Sequence, residues 1–254
     1  MIRFAMLGSG SKGNATLIEH GSTRVLVDCG FNLRETEQRL ARFGIEPASL
    51  AAILVTHEHG DHLSGVGRLA RKHRVPVWMT YGTHRVWADA KVPHLIRFSP
   101  HQRFEIGSLA IEPYPVPHDA EEPCQYVIGA LGKRIGILSD AGHISTHMRS
   151  VLADCDALML ECNHDPQLLR DGPYPESLKA RVAGDRGHLS NGQAAALLRG
   201  YAHARLQHLV LTHLSETNNR PELALGAVKA AMGGEHAGLR CAEQEQGVEW
   251  CEVA

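Results

Sequence analysis

The 254-residue chain is long enough to bury one substantial core, and its 43% apolar and 21% charged residues exclude disordered and fibrous classes. Its formal net charge of −2 excludes a strong overall attraction to polyanions, so any affinity for nucleic acid must come from a local basic face. The chain lacks a signal-peptide pattern, a long apolar span and a dense cysteine framework, which predicts a cytoplasmic protein with no membrane contact.

The first 44 residues alternate short apolar segments with glycine-containing turns. Segments 2–7, 15–20 and 24–30 predict three strands of a meander. Residues 33–44 predict a helix, because Leu33, Leu40 and Phe43 share one helical stripe and Gly44 is placed to end it.

Strands and helices then alternate along the rest of the chain. Strands are predicted at 51–56, 75–80, 109–116, 126–130, 134–139, 156–162 and 208–212, and helices at 63–73, 191–202 and 221–232. The proline-containing segments 114–123 and 171–178 are predicted to be ordered loops. With no repeat or linker, the pattern predicts a single α/β domain over residues 1–254.

A cluster of metal-ligand residue types follows the strand at 51–56. The motif VTHEHGDHLSG supplies His57, His59, Asp61 and His62, with Gly60 expected to let the backbone turn. Any one of these could be a solvated loop residue, but together they favour a metal site. Mixed imidazole and carboxylate ligands suit zinc or manganese, and the absence of cysteine favours a catalytic site over a structural one.

Three further residues of the same types stand at strand ends. His118, Asp140 and His213 each follow an apolar segment, where loops at a sheet edge can converge on a ligand. One loop cannot fill two coordination shells, so these residues are predicted to complete the site.

The order H-x-H-x-D-H, His, Asp, His resembles the metallo-β-lactamase superfamily. The resemblance implies a four-layer αβ/βα sandwich and two divalent metal ions. It implies that one ion is held by His57, His59 and His118, the other by Asp61, His62 and His213, and that Asp140 bridges them. Two such ions lower the pKa of bound water toward about 7, and Asp61 could also orient the attacking water and accept its proton.

Segments outside the metal motif narrow the resemblance to one group. GSGSKGNATLIE, PHDAEEPCQY, LSDAGH, ECNHD, GDRGHLSN and LTHLSETNN together resemble the bacterial YycJ (WalJ) family. This resemblance covers nearly the whole chain and implies a 5′-to-3′ exonuclease that hydrolyses DNA, with no obligate protein partner.

Several residues in these segments are candidates for substrate contacts. Ser9, Ser11 and Asn14 lie in a turn that could bind phosphate or be only a tight β-turn. Asn163 and His164 leave a strand end. His188 precedes a helix that begins near Asn191, where it could contact phosphate and aid the leaving group, or be a surface histidine beside an ordinary cap.

Basic residues and other histidines carry weaker predictions. Two groups could follow a DNA backbone or simply be solvated: Arg68, Arg71, Lys72 and Arg74, and Lys179, Arg181 and Arg186. The histidines without convergent partners are predicted to be structural or solvated: His73, His84, His203 and His208.

Two other functions use the same residues. A small-molecule hydrolase acting on a cyclic phosphodiester, a thioester or a lactam would need the same seven ligands and would differ only at the rim of the site. A non-catalytic metal-binding regulator is disfavoured, because a degenerate member would be expected to lose ligands.

Overall fold

The computed structural model describes residues 1–89, 91–199 and 205–254. The strands are β1 (Ile2–Gly8), β2 (Ala15–His20), β3 (Thr23–Val27), β4 (Ala52–Leu54), β5 (Val77–Thr80), β6 (Leu95–Phe98), β7 (Phe104–Ile106), β8 (Leu109–Pro115), β9 (Cys124–Ala130), β10 (Lys133–Leu138), β11 (Ala157–Glu161), β12 (His208–Thr212), β13 (Leu239–Cys241) and β14 (Val248–Val253). The helices are α1 (Leu33–Arg42), α2 (Gly60–Leu63), α3 (Val66–His73), α4 (Tyr81–Val86), α5 (Thr146–Leu152), α6 (Pro166–Asp171), α7 (Glu176–Ala183), α8 (Asn191–Leu198) and α9 (Pro221–Met232), with a 3-10 turn at Pro47–Ser49.

These strands form two seven-stranded sheets with matching organisation. The first has the order β14-β1-β2-β3-β4-β5-β6, and the second has the order β13-β12-β11-β10-β9-β8-β7. The predicted meander is present, since β1, β2 and β3 pair in antiparallel fashion. Each sheet then continues in parallel, from β3 to β6 and from β10 to β13.

Successive side chains of a buried strand point to opposite faces of its sheet, so they pack into different hydrophobic cores. In β11, Ala157 and Met159 pack between the sheets, whereas Leu158 and Leu160 pack against the helices outside. A second outer core joins α1 and α3 to the first sheet through residues such as Leu40. The layers are therefore helix, sheet, sheet and helix, which confirms the predicted αβ/βα sandwich.

Local sequence signals account for the helix ends. Asn32 caps α1 by accepting a hydrogen bond from the Glu35 amide at 3.0 Å, and Gly44 has a φ of 70° just after the last turn. The predicted loop 171–178 is partly wrong, because α7 begins at Glu176 directly after Pro175. A proline before the first helical turn is compatible with a helix start, since the first turn needs no amide donor there.

The predicted helices at 63–73, 191–202 and 221–232 are present, but the first is split into α2 and α3. Residues 200–202 of the second, and His203, lie outside the described residues. Among the described helices, none is both long enough and apolar enough to cross a membrane.

Strand direction brings the carboxyl ends of several strands to one edge. In the second sheet, β8 and β10 both run antiparallel to β9, so they point the same way, and β11 and β12 are parallel to β10. In the first sheet, β3 and β4 are parallel. The loops after β4, β8, β10 and β12 carry the predicted metal ligands.

Candidate metal centre

Three histidine rings from two sheets form one side of the cluster. The Nε2 of His57 lies 3.1 Å from the Nδ1 of His59, which lies 3.1 Å from the Nε2 of His118. Two ligands of one tetrahedral zinc ion, each about 2.0–2.1 Å from the metal, stand about 3.3 Å apart. The nitrogen spacing of this group therefore fits a single divalent ion.

The other side combines imidazole and carboxylate. The Oδ2 of Asp61 lies 3.4 Å from the Nε2 of His62 and 3.2 Å from the Nε2 of His213. Asp140 stands between the two groups, because its Oδ2 is 3.1 Å from His62 and its ligand oxygen also groups with His57. All seven predicted ligands thus converge, although they come from four different loops.

One buried carboxylate that the sequence analysis missed orients a ligand in each group. The Oδ2 of Asp28 accepts hydrogen bonds from the Thr56 hydroxyl at 2.8 Å and from the Nδ1 of His62 at 2.7 Å. Because that hydroxyl donates to Asp28, it accepts from the Nδ1 of His57, 2.9 Å away. Both rings therefore turn Nε2 toward the cluster, the arrangement that supports metal-bound histidine.

A second missed carboxylate, Glu161, is the last residue of β11 and is fully buried. Its Oε1 accepts from the Nδ1 of His188 at 2.8 Å, and its Oε2 accepts from the backbone amides of Ala141 and Leu189. Glu161 thereby ties His188 to the loop of Asp140. Both Asp28 and Glu161 stand at strand ends, so the rule that selected His118, Asp140 and His213 could have found them.

Three of the six non-glycine residues with positive φ in the described part of the chain lie at this edge. Asp28, Asp140 and His213 have φ values of 61°, 53° and 55°, in the left-handed region that non-glycine residues seldom adopt. Such a conformation costs about 1–2 kcal/mol per residue and persists where the surroundings enforce it. The site's loops are held in shape by packing and hydrogen bonds.

The backbone passes so close to another segment at Gly30 that only glycine fits there. Gly60, which was predicted to let the backbone turn, has no such close contact. A Cβ on Gly30 would lie 1.8 Å from the carbonyl oxygen of Asp61. Gly60 begins α2, and a Cβ there would meet only the Ser64 hydroxyl, at 3.4 Å. The prediction for Gly60 is wrong because the turn is helical, a conformation open to any residue.

Charge at the centre is balanced by the rings. Burial alone would lower the pKa of His62, but Asp140, Asp61 and Asp28 raise it well above its ordinary value. Asp140 and Asp61 likewise overcome burial and raise the pKa of His213 to about 10. Burial lowers the pKa of His57 well below its ordinary value. The carboxylates therefore stabilise positive charge beside His62 and His213. This combination of imidazole nitrogens and carboxylate oxygens fits divalent cations.

A family model described as "Beta-lactamase superfamily domain" matches residues 23–214, a range that contains all seven ligands. The chain belongs to the metallo-β-lactamase superfamily. Within it, the chain is 34% identical over 240 residues to the exodeoxyribonuclease YycJ of Bacillus anthracis, covering 91% of this chain and 89% of the relative. It is 35% identical over 228 residues to the exodeoxyribonuclease WalJ of Streptococcus pneumoniae, covering 87% and 85%. The predicted resemblance to the YycJ and WalJ group is confirmed.

Solved structures of the superfamily share the fold of this chain. The metallo-β-lactamase fold protein YhfI from Bacillus subtilis superposes with a TM-score of 0.75 and 19% identity, covering 96% of this chain and 97% of that one. Zinc-bound PqqB from Methylobacterium extorquens gives 0.72 at 16% identity, covering 99% and 100%. At these identities the similarity establishes the metallo-β-lactamase fold.

Three of the predicted substrate residues contact residues predicted to bind metal. The Ser9 hydroxyl accepts a hydrogen bond from the amide of His213 at 2.9 Å, and the Nδ2 of Asn14 donates to the backbone carbonyl of Asp61 at 3.3 Å. Asn163 donates to the His213 carbonyl at 3.0 Å. All three are buried, and these contacts tie them to the loops of the predicted metal ligands. Their contact with substrate stays a prediction.

The other predicted substrate residues are divided between surface and interior. Ser11 is exposed in the turn, where contact with substrate remains a prediction. Asn191 is buried, and its amide exchanges two hydrogen bonds of 2.9 Å with Asn219. His164 is 3% exposed and its Nδ1 has no hydrogen-bond partner among the described residues. His188 lies beside Asp140, with 3.4 Å between Nδ1 and Oδ1.

Most of the basic residues that were candidates for DNA contact form ion pairs with acidic side chains at the surface. Arg71 pairs with Asp89 at 2.9 Å and Lys72 with Glu37 at 2.7 Å. Arg181 is different, because its partner Asp119 lies directly beside His118 at the metal site. Of these cations, Arg181 is the one that the described contacts join to the metal centre.

Proposed function

We propose that this protein is a metal-dependent phosphodiesterase that removes nucleotides from the 5′ end of DNA. The observation that carries the proposal is the convergence of seven imidazole and carboxylate ligands with the His188–Glu161 pair beside Asp140. Support for DNA as the substrate comes from the two relatives named exodeoxyribonucleases, each similar over most of its length.

Two divalent ions, zinc or manganese, would be held as the superfamily resemblance implies. The first group is His57, His59 and His118, the second is Asp61, His62 and His213, and Asp140 lies within reach of both. When bound, such ions neutralise phosphate charge and supply a nucleophilic water at neutral pH. The rings and carboxylates of the chain fix where that chemistry takes place.

Asp61 and His188 would handle the protons of the reaction. The described contacts of Asp61 run through Oδ2, which leaves Oδ1 to orient the attacking water and accept its proton. His188 gives its Nδ1–H to Glu161, and Glu161 outweighs burial and raises the pKa of the His188 ring. The protonated ring also carries an Nε2–H, which can be donated to the leaving oxygen. In the hydrolysis, water oxygen bonds to phosphorus, the bond from phosphorus to the 3′ oxygen breaks, and that oxygen takes up a proton.

One panel of substrates tests the proposal. Metal-reconstituted protein is assayed on 5′-phosphorylated DNA, a generic phosphodiester, a thioester and a lactam. We expect turnover of both phosphodiesters and loss of activity and bound metal in Asp140→Asn. The matched control is Asp154→Asn, because Asp154 is also left-handed, with φ 61°, but is exposed and not among the predicted ligands. Turnover of the thioester with failure on both phosphodiesters would refute the proposal.

The same panel separates the alternatives. A small-molecule hydrolase would turn over one of the other substrates and leave DNA intact, and a non-catalytic regulator would bind metal and hydrolyse none. The cytoplasmic location agrees with a DNA substrate and stays a prediction.

A further inference from the structure

A cavity of about 540 Å³ lies between α6 and α7, outside the metal ligands. Its volume is within the range of about 300–1,000 Å³ that small-ligand pockets occupy. The residues that matter for its chemistry are His164, Leu169, Arg170, Glu176, Lys179 and Ala183. We call it the α6–α7 cavity.

His164 gives this cavity a buried polar wall with an unused nitrogen. The residue is 3% exposed, and its Nδ1 has no hydrogen-bond partner among the described residues. Burial lowers the pKa of His164 to about 4, so the ring is neutral at physiological pH. A buried nitrogen without a hydrogen-bond partner is costly.

Lys179 and Arg170 line the α6–α7 cavity and give it positive charge that can bind an anion. Lys179 uses two of its three N–H donors, on the Arg170 carbonyl at 2.7 Å and on Glu176 at 2.9 Å. The Glu176 side chain is 89% exposed, so that pair is screened by water. The guanidinium of Arg170 contacts the Gln167 side chain and has no carboxylate within salt-bridge distance in the described part of the chain. One further acidic ligand group could therefore bind between Lys179 and Arg170.

The cavity lies beside the proposed proton donor. Ala183 adjoins Val182, whose carbonyl accepts the backbone amide of His188 at 2.9 Å. On the other wall, the His164 carbonyl accepts the amide of Asn191 at 2.9 Å, three residues past His188. These two backbone hydrogen bonds join both walls of the α6–α7 cavity to the segment that carries His188.

We propose that the α6–α7 cavity binds the 5′-terminal nucleotide of the substrate, with its phosphate at Arg170 and Lys179 and its nucleoside against Leu169 and Ala183. This inference rests on the proposed function, because a cleaved terminal nucleotide is the leaving group of that reaction. A cavity with room for one nucleotide next to the proton donor would make the enzyme release mononucleotides stepwise.

Binding of thymidine 5′-monophosphate to the metal-loaded protein, followed by calorimetry, tests the site without any cleavage. We expect Arg170→Gln and Lys179→Gln each to weaken binding about tenfold, and thymidine without its phosphate to bind far more weakly than the monophosphate. The matched controls are Arg149→Gln, another exposed helical arginine with one hydrogen bond, and Lys229→Gln, another helical lysine paired with a glutamate at 2.9 Å. These controls should bind like the unaltered protein.

A second variant protects the test against a folding artefact. Ala183→Phe adds bulk at the exposed end of α7 and should fill the cavity, so monophosphate binding should fall while the far-UV circular dichroism spectrum is kept. On DNA, the loss of kcat/KM in the cavity variants should exceed their loss on a chromogenic phosphodiester by about tenfold. Equal monophosphate affinity in all variants, or equal affinity for thymidine and its monophosphate, overturns the inference. If the protein leaves DNA intact but its binding of the monophosphate depends on Arg170, the proposed exonuclease function is refuted and the nucleotide site is supported.

Discussion

Asp28 connects both predicted metal groups, so replacing it with asparagine should weaken the binding of both ions. Its carboxylate receives three donors: the Thr56 amide at 2.8 Å, the Thr56 hydroxyl at 2.8 Å and the His62 ring at 2.7 Å. Asparagine preserves the shape and tolerates the left-handed φ of 61°, which isolates the hydrogen bonds from backbone strain.

The expected loss of metal affinity in Asp28→Asn follows from the number of hydrogen bonds that Asp28 accepts. In either orientation of the introduced asparagine amide, its NH2 group would face at least one N–H or O–H from which Asp28 accepts a hydrogen bond. A hydrogen bond to a charged group contributes about 1.5–3 kcal/mol, and the loss of such supporting contacts lowers metal affinity about 10- to 100-fold. The released Thr56 hydroxyl can also rotate away from His57, which extends the effect to the other group.

Competition with a chromophoric chelator measures the affinity of each metal equivalent. Asp28→Asn should bind both equivalents more weakly, whereas Asp154→Asn, with the same φ of 61° on an exposed aspartate, should bind them like the unaltered protein. If Asp28→Asn retains the original affinity for both ions, the orienting role assigned to Asp28 is incorrect.

Three further changes test other parts of the site. Glu161→Gln should lower kcat about 10- to 100-fold on DNA, and less on a p-nitrophenyl phosphodiester whose leaving group needs no proton from His188; equal losses would contradict that role. His118→Ala should lose one metal equivalent by elemental analysis, and retention of two would remove it from the ligand set. Gly30→Ala should lower the free energy of unfolding by about 1–3 kcal/mol because its Cβ would overlap backbone, while Gly60→Ala should change it by less than about 1 kcal/mol in urea titration.

The candidate metal ligands could be identified from the sequence because their signal is local. His57, His59, Asp61 and His62 lie within six residues after an apolar strand, and His118, Asp140 and His213 each follow another. Hydrophobic alternation likewise predicted most strands, because β-structure has a period of two in any context. The short helices α4, α5 and α6 escaped prediction, since six or seven residues are too few to establish a helical period.

Contacts across the sandwich could not be predicted. The local pattern around Ser9 allows a phosphate contact or only a tight turn, and it gives no sign that the Ser9 hydroxyl accepts a hydrogen bond from the amide of His213, 204 residues away in the loop after β12. Glu161 and His188 meet only because the loop after α7 folds back over the end of β11.

The sequence by itself determined which side chains can bind metal and where their strands end, because both depend on neighbours within a few residues. Only the tertiary structure decided which buried carboxylates contact those side chains and where a cavity of about 540 Å³ opens between α6 and α7. Hydrogen bonds such as those of Asp28 and Glu161 act over about 3 Å, and the packing of two sheets brings residues far apart in the chain to that distance.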